Sequence, residues 1–207
     1  MLGFSISTLL VRLLVLVIGI PIHEWAHAWS AYKLGDATAE GEGRMTLNPL
    51  AHLDPVGSLL ILLSGFGWGK PVPVNPYRMR VSPRVGMAIT SAAGPLSNFF
   101  IAMLLAIPLR MRWITRYSGI GELLTLAIQI NLGLMLFNLI PAYPLDGEKV
   151  LVGVLPPRWG DHLLRWRPYS MLILAAIMFI LPRVGLDLLS LIIAPAYIAL
   201  MSLLLYF

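Results

Sequence analysis

The chain has no cysteine. Disulfides are excluded, and so is any metal site built on thiolates. A bound transition metal must use imidazole and carboxylate, and both are scarce: four histidines and ten acidic residues in 207 positions. Charge is thin throughout, at 12% of residues against 58% hydrophobic. That composition leaves no room for a large soluble domain. Several apolar runs approach the roughly 20 residues that cross a bilayer as a helix. Internal repeats and low-complexity segments are also missing. The net charge of +5 is no nucleic-acid footprint. The basic residues lie in short loops between apolar runs, where they set topology and meet anionic headgroups. The N-terminal apolar run has neither a basic region before it nor a small-residue cleavage site, so the expectation is that it is retained.

What is present is a series of apolar helices. A first helix is expected over about 5–34, kinked near Pro21 and stopped by Gly35. The polar stretch 36–54 reads as loop, with a short strand near 44–47. The apolar run 56–66 is too short to cross and is followed by a Gly/Pro-punctuated segment. Residues 56–76 therefore read as re-entrant or interfacial. Further helices are expected over about 83–109, 120–140, 169–181 and 186–207, with a basic stretch from Lys149 to Arg167 before the last two. The fold class is an all-α polytopic membrane protein. It has a three-helix catalytic core over about 5–147 and about two further transmembrane helices over 168–207, with a re-entrant or short β segment after the first helix. The whole of 1–207 is expected to form a single membrane-embedded domain.

The most informative residues are His23-Glu24-Trp25-Ala26-His27, set in an apolar helix. H-E-x-x-H places two imidazoles one turn apart on one face, able to grip a zinc ion, with the glutamate beside them as general base. Ionisable groups at membrane depth are costly unless they face a partner, a metal or water. A catalytic zinc takes three protein ligands and keeps one position open. Among the remaining histidines and carboxylates, Asp146 stands out: it follows an apolar helix and precedes Gly147, which permits a tight turn. If 56–66 does not cross, the first and third crossings run parallel, and His23, His27 and Asp146 lie towards the same membrane face. Ten basic residues then fall on that side and four on the other, with Arg12 inside the first helix. The positive-inside rule places the site towards the cytoplasm.

These motifs resemble the site-2 protease family of intramembrane zinc metalloproteases, in its compact prokaryotic form without PDZ or CBS domains. The resemblance rests on His23-Glu24-x-x-His27 and on Asn138-x-x-Pro141-x-x-x-Leu145-Asp146-Gly147. Gly94-Pro95-Leu96-Ser97-Asn98 lies between them, and Asn48-Pro49-Leu50-Ala51-His52-Leu53-Asp54-Pro55 resembles a further family segment. The resemblance implies one zinc ion per chain, held by His23, His27 and Asp146, with Glu24 as the base. It implies that Asn138 positions the substrate peptide or stabilises the developing oxyanion. The implied partners are the lipid bilayer and transmembrane protein substrates. Strand addition of an unwound substrate at 44–47 or 72–74 is a further expectation.

The same residues admit plainer readings. His52 and Asp54 read first as a turn-forming pair. Asn98 fits interhelical packing as well as a substrate contact. Two rival functions are a transporter of metal ions or protons and a proteolytically silent client-binding relative. Glu24 beside His23 argues against both.

Overall fold

The computed structural model describes residues 6–64 and 67–205. The ends of the expected helices at Ser5 and Phe207, and Gly65 and Phe66 in the re-entrant stretch, lie outside the described residues. α1 (Ile6–Leu14) and α2 (Ile20–Leu34) form one continuous helical run, joined by a π-helical turn over Val15–Gly19. Pro21 sits in the first turn of α2. A proline there has no N–H for the preceding turn. A π turn stands immediately before it, at the place of the expected kink, and takes up the mismatch in the hydrogen-bond ladder. Gly35 ends α2 at φ 109°, a left-handed conformation that favours glycine.

The polar stretch that follows is folded against the protein. A short helix α3 (Thr38–Gly41) and a 3-10 turn Pro49–Ala51 interrupt it. Asp36, Arg44 and His52 are buried. Neither 44–47 nor 72–74 forms a strand; among the described residues the one β-bridge joins Leu53 to Gly69. The expected short strand near 44–47 is thus corrected: the Arg44 N–H goes to the Ala39 carbonyl and the Thr46 carbonyl accepts from His52 Nε2, so neither is left for a ladder. At 72–74 the reason is equally local. Pro71 and Pro73 have no amide hydrogen to give a ladder, and the Val72 N–H is committed to Glu24.

α4 (Pro55–Ser64) has ten residues, about 15 Å of helix, half the hydrocarbon thickness of a bilayer. Asp54 caps its start by accepting the Gly57 N–H at 2.8 Å, so the turn-forming reading of Asp54 holds. Its far end is met by Arg12, which donates to the carbonyls of Leu62 and Leu63 at 2.6 and 2.9 Å. Arg12 precedes His23 by eleven residues, roughly 16 Å of helix. α4 therefore ends beside Arg12, whereas Gly69 lies against Ile20, about one turn from His23.

Five helical runs among the described residues are long and apolar enough to cross a membrane: Leu9–Leu34, Pro83–Arg110, Gly119–Asn138, Arg167–Val184 and Leu188–Leu205. The second and third are α5 (Pro83–Arg110) and α6 (Gly119–Asn138). Between α6 and the fourth run lie two helices that the sequence reading treated only as a basic stretch, α7 (Asp146–Val154) and α8 (Pro157–Arg165). The fourth run begins with α9 (Arg167–Ala175), and the fifth is α10 (Leu188–Leu205).

α5 organises the molecule. Thr90, Gly94, Asn98, Ala102 and Ala106 recur every fourth residue, and all are buried along one face. Ala102, Ala106 and Leu109 form a core with Ile128 and Leu132 of α6 and Leu204 and Leu205 of α10. The small side chains let the helices approach closely. The start of α10 and α9 stand further off. They leave an apolar groove of about 530 Å³ against the end of α6, lined by residues including Leu136, Ile140, Ile173 and Ile192.

Candidate metal centre

His23 and His27 project from the same face of α2, one turn apart, as the H-E-x-x-H spacing requires. Asp146 reaches them from the first turn of α7. α7 is held on α5 by Arg84, which donates from Nε to the Val152 carbonyl at 2.6 Å and from its terminal nitrogen to Leu155. The tight turn expected after Asp146 is not formed: Gly147 lies in the first turn of α7, and glycine is needed there because a β-carbon would lie 2.2 Å from the Leu139 carbonyl oxygen. The topological expectation holds. His23 and Asp146 meet because two crossings, α5 and α6, lie between α2 and α7, while α4 is too short to add a third.

His23 Nε2 and His27 Nε2 are 3.0 Å apart, and each is 3.1 Å from Asp146 Oδ2. All three residues are buried. The outer ring nitrogens decide what this triangle is. His27 Nδ1 lies 2.7 Å from the Thr90 carbonyl, which only accepts, so Nδ1 carries the proton. His23 Nδ1 lies 2.7 Å from Asn98 Oδ1. Asn98 Nδ2 donates to Asn131 Oδ1 at 3.0 Å, and Asn131 Nδ2 donates to the Ala127 carbonyl at 2.8 Å. A main-chain carbonyl thus sets the direction of the whole relay from α6 through α5 to α2, and His23 Nδ1 must be the donor. Both Nε2 atoms then present lone pairs, to each other and to a carboxylate oxygen. Three converging lone pairs repel unless a cation lies between them.

The residues fit zinc. Ligands at 2.0–2.1 Å in a tetrahedron are about 3.3 Å apart, close to the edges of the triangle. Space is provided by Gly94, where a β-carbon would fall 2.4 Å from His27 Nε2 and 2.6 Å from His23 Nε2. Imidazole N–H groups bonded to a carbonyl and an amide are the usual way such ligands are oriented. Lys149 Nζ lies 3.6 Å from Asp146 Oδ1, leaving Oδ2 to the histidines.

Glu24 is half-buried, and a carboxylate oxygen lies within 4.8 Å of the histidine nitrogens. Its Oε2 accepts the Val72 N–H at 2.9 Å. The glutamate is thus beside the triangle without being a corner of it. The amide of Asn138 turns back on its own helix, with Nδ2 donating to the Leu134 carbonyl at 3.0 Å. Oδ1 has no partner among the described residues. His52 is fully buried, with Nε2 on the Thr46 carbonyl at 2.7 Å; it supports the loop and does not reach the triangle. Trp25 and Trp29 stack at 5.9 Å between ring centres, with the Lys33 ammonium over Trp29. They are helix-surface aromatics.

Asn98 is fully buried and orients His23. The substrate-contact reading has no geometry to support it. Replacing Asn98 with leucine keeps the volume and removes the acceptor. The expected result is a zinc affinity lowered roughly 10- to 100-fold, read by competition with a fluorescent chelator. Unchanged affinity would show that the relay is packing alone.

Sequence comparison places relatives beside this geometry. The chain is 37% identical to the "Putative zinc metalloprotease YwhC" of Bacillus subtilis over 186 residues, 86% of this chain and 84% of that one. It is 33% identical to the "Putative zinc metalloprotease MJ0611" of Methanocaldococcus jannaschii, covering 72% and 73%. It is 29% identical to the "Putative zinc metalloprotease Rip2" of Mycolicibacterium smegmatis, covering 76% of this chain and 62% of that longer relative. No family model and no solved structure matches the chain. The chain belongs to the site-2 protease-like family of zinc metalloproteases, in its compact form.

Proposed function

We propose that this protein is an intramembrane zinc endopeptidase that hydrolyses peptide bonds in or near transmembrane segments of other membrane proteins. The observation that carries the reading is the triangle of His23 Nε2, His27 Nε2 and Asp146 Oδ2 at 3.0–3.1 Å, with Glu24 beside it. His23 and His27 lie within the run Leu9–Leu34, and Asp146 follows the run Gly119–Asn138, both long enough to span a bilayer. His23, His27 and Asp146 hold the metal in this reading, and one fold over 1–207 serves as the peptidase domain. Bound there, zinc polarises the scissile carbonyl and makes water a competent nucleophile near neutral pH.

The chain's own residues supply the rest. Glu24 takes a proton from the attacking water and returns it to the leaving amine. Asn138, its Nδ2 held by Leu134, offers Oδ1 to an N–H of the substrate backbone. A transmembrane helix hides its carbonyls in internal hydrogen bonds, so the substrate must unwind locally before its scissile bond can be presented to Glu24. The apolar groove beside α6 supports lateral entry, because its wall at 139–142 continues into the turn that carries Asp146. The excess of basic residues on the side of the site supports a cell-membrane orientation with the centre towards the cytoplasm.

The test is cleavage of a panel of single-span membrane proteins by the purified protein in detergent, before and after removal of zinc with a chelator. Cleavage of at least one panel member that stops on chelation and returns with added zinc is the expected result. Chelator-resistant cleavage would overturn a zinc mechanism. A zinc-loaded protein that cleaves no member but releases zinc across a vesicle membrane would replace the peptidase with a transporter.

A further inference from the structure

The segment Gly69-Lys70-Pro71-Val72-Pro73-Val74-Asn75 lies against Glu24 and is fastened on both sides of Val72. Before Val72, the Lys70 N–H donates to the His52 carbonyl at 2.7 Å. The buried Arg44 guanidinium donates to the carbonyls of Lys70 at 2.7 Å and Pro71 at 3.2 Å. These are the only hydrogen bonds of the Arg44 side chain among the described residues, and its Nε is unmatched. After Val72, the Asn75 N–H donates to Oδ2 of Asp36 at 2.6 Å. Asp36 is fully buried. Pro71 and Pro73 have no N–H and hold the chain extended. Val72 is therefore the sole amide donor between Lys70 and Val74, and that donor goes to Glu24 Oε2 at 2.9 Å.

We propose that 69–75 is a strap that positions Glu24 for proton transfer, and that Arg44 is the residue that fastens it. The proposal rests on the reading of Glu24 as base. A glutamate has three side-chain torsions and, half-buried, no fixed direction of its own. The charge-assisted bond from Val72 holds Oε2, so Oε1 is the oxygen left to face the reacting water. Arg44 acts on this from a distance: it grips the two carbonyls that precede the donating amide. A guanidinium buried to this extent is costly unless its donors are matched, and its matched donors all go to the strap.

Val72→Pro tests the donor directly. It deletes one N–H from a strap already held extended by its neighbours. Arg44→Ala and Arg44→Lys test the fastener, and Glu24→Gln runs beside them. Each protein is assayed for zinc content, thermal unfolding, and kcat and KM on a single-span protein that wild type cleaves. Amide exchange over 69–75 is followed by mass spectrometry. The expected result for Val72→Pro and Arg44→Ala is a kcat lowered roughly 10- to 100-fold, with KM, zinc content and unfolding temperature close to wild type. Arg44→Lys, which can reach one carbonyl, falls between. Exchange over the strap rises in Arg44→Ala. Wild-type kcat in the strap variants beside an inactive Glu24→Gln overturns the strap and leaves the base intact. Wild-type cleavage by Glu24→Gln removes the base reading itself. Should Val72→Pro or Arg44→Ala lose zinc or stability in step with activity, the strap is only scaffolding. Unchanged exchange in Arg44→Ala overturns the fastening role whatever the activity.

Discussion

Gly94→Ala is expected to abolish zinc binding, and with it cleavage. The added β-carbon would stand 2.4 Å from His27 Nε2, 2.5 Å from His27 Cε1 and 2.6 Å from His23 Nε2. Those distances are far inside van der Waals contact, and the atoms it meets are rings already fixed at their other nitrogens by Thr90 and Asn98. Neither imidazole can retreat without breaking the bond that sets its tautomer. α5 cannot retreat either, because the same face carries Thr90 and Asn98 and packs α2 along its length. The expected zinc content falls from about one per chain to less than about a tenth. Stability should not fall in parallel. Alanine is favoured over glycine in a helix interior by roughly 1 kcal/mol, which offsets part of the local strain. Gly133, in α6, is the control: a β-carbon there meets nothing within 4 Å. Gly133→Ala should keep its zinc and activity and melt slightly higher. Measuring zinc by mass spectrometry of metal beside the unfolding temperature separates the two effects. A Gly94→Ala protein that holds a full complement of zinc would mean that the metal does not lie between these rings.

Gly94 also marks the limit of what the sequence discloses. It is legible as one of several small residues in a helix, and small residues are common wherever membrane helices pack. Nothing local distinguishes a glycine that admits a neighbouring helix from one that leaves room for an ion. His23, Glu24 and His27 were legible because helical periodicity alone puts the two imidazoles on one face. Asp146 was legible by topology, once α4 was taken as too short to cross. The contacts that complete the centre join positions far apart in the chain: His23 to Asn98, His27 to Thr90, Glu24 to Val72. Two of these use main-chain groups, which leave no side-chain signature. Residues 36–54 form the loop that their polarity suggested, interrupted by α3 and a 3-10 turn. What the sequence did not disclose is that Asp36, Arg44 and His52 are buried and polar because each satisfies backbone groups inside the fold. α7 and α8 were missed because both are short, nine residues each, and carry the charges that mark loops between spans.

Glu24→Gln is the second large effect, and it separates two roles that the geometry brings close. The Glu24 carboxylate lies within 4.8 Å of the histidine nitrogens, so it is near enough to be imagined as a fourth ligand. Asp146 Oδ2, at 3.1 Å from both rings, already closes the triangle, and Glu24 Oε2 is held elsewhere by Val72. Glutamine is nearly the same shape. Its carbonyl oxygen can still accept the Val72 N–H, so the strap stays in place. What is lost is the ability to take a proton from water and return it to the leaving amine. The expected kcat on a cleavable single-span protein falls roughly 10²- to 10⁴-fold, the usual contribution of a positioned base. KM and zinc content should stay near wild type. His27→Ala gives the contrasting pattern, with zinc and activity lost together. Loss of zinc from Glu24→Gln would instead make Glu24 a ligand, and the base would then have to be sought among the groups facing Asp146, with Lys149 the first to test.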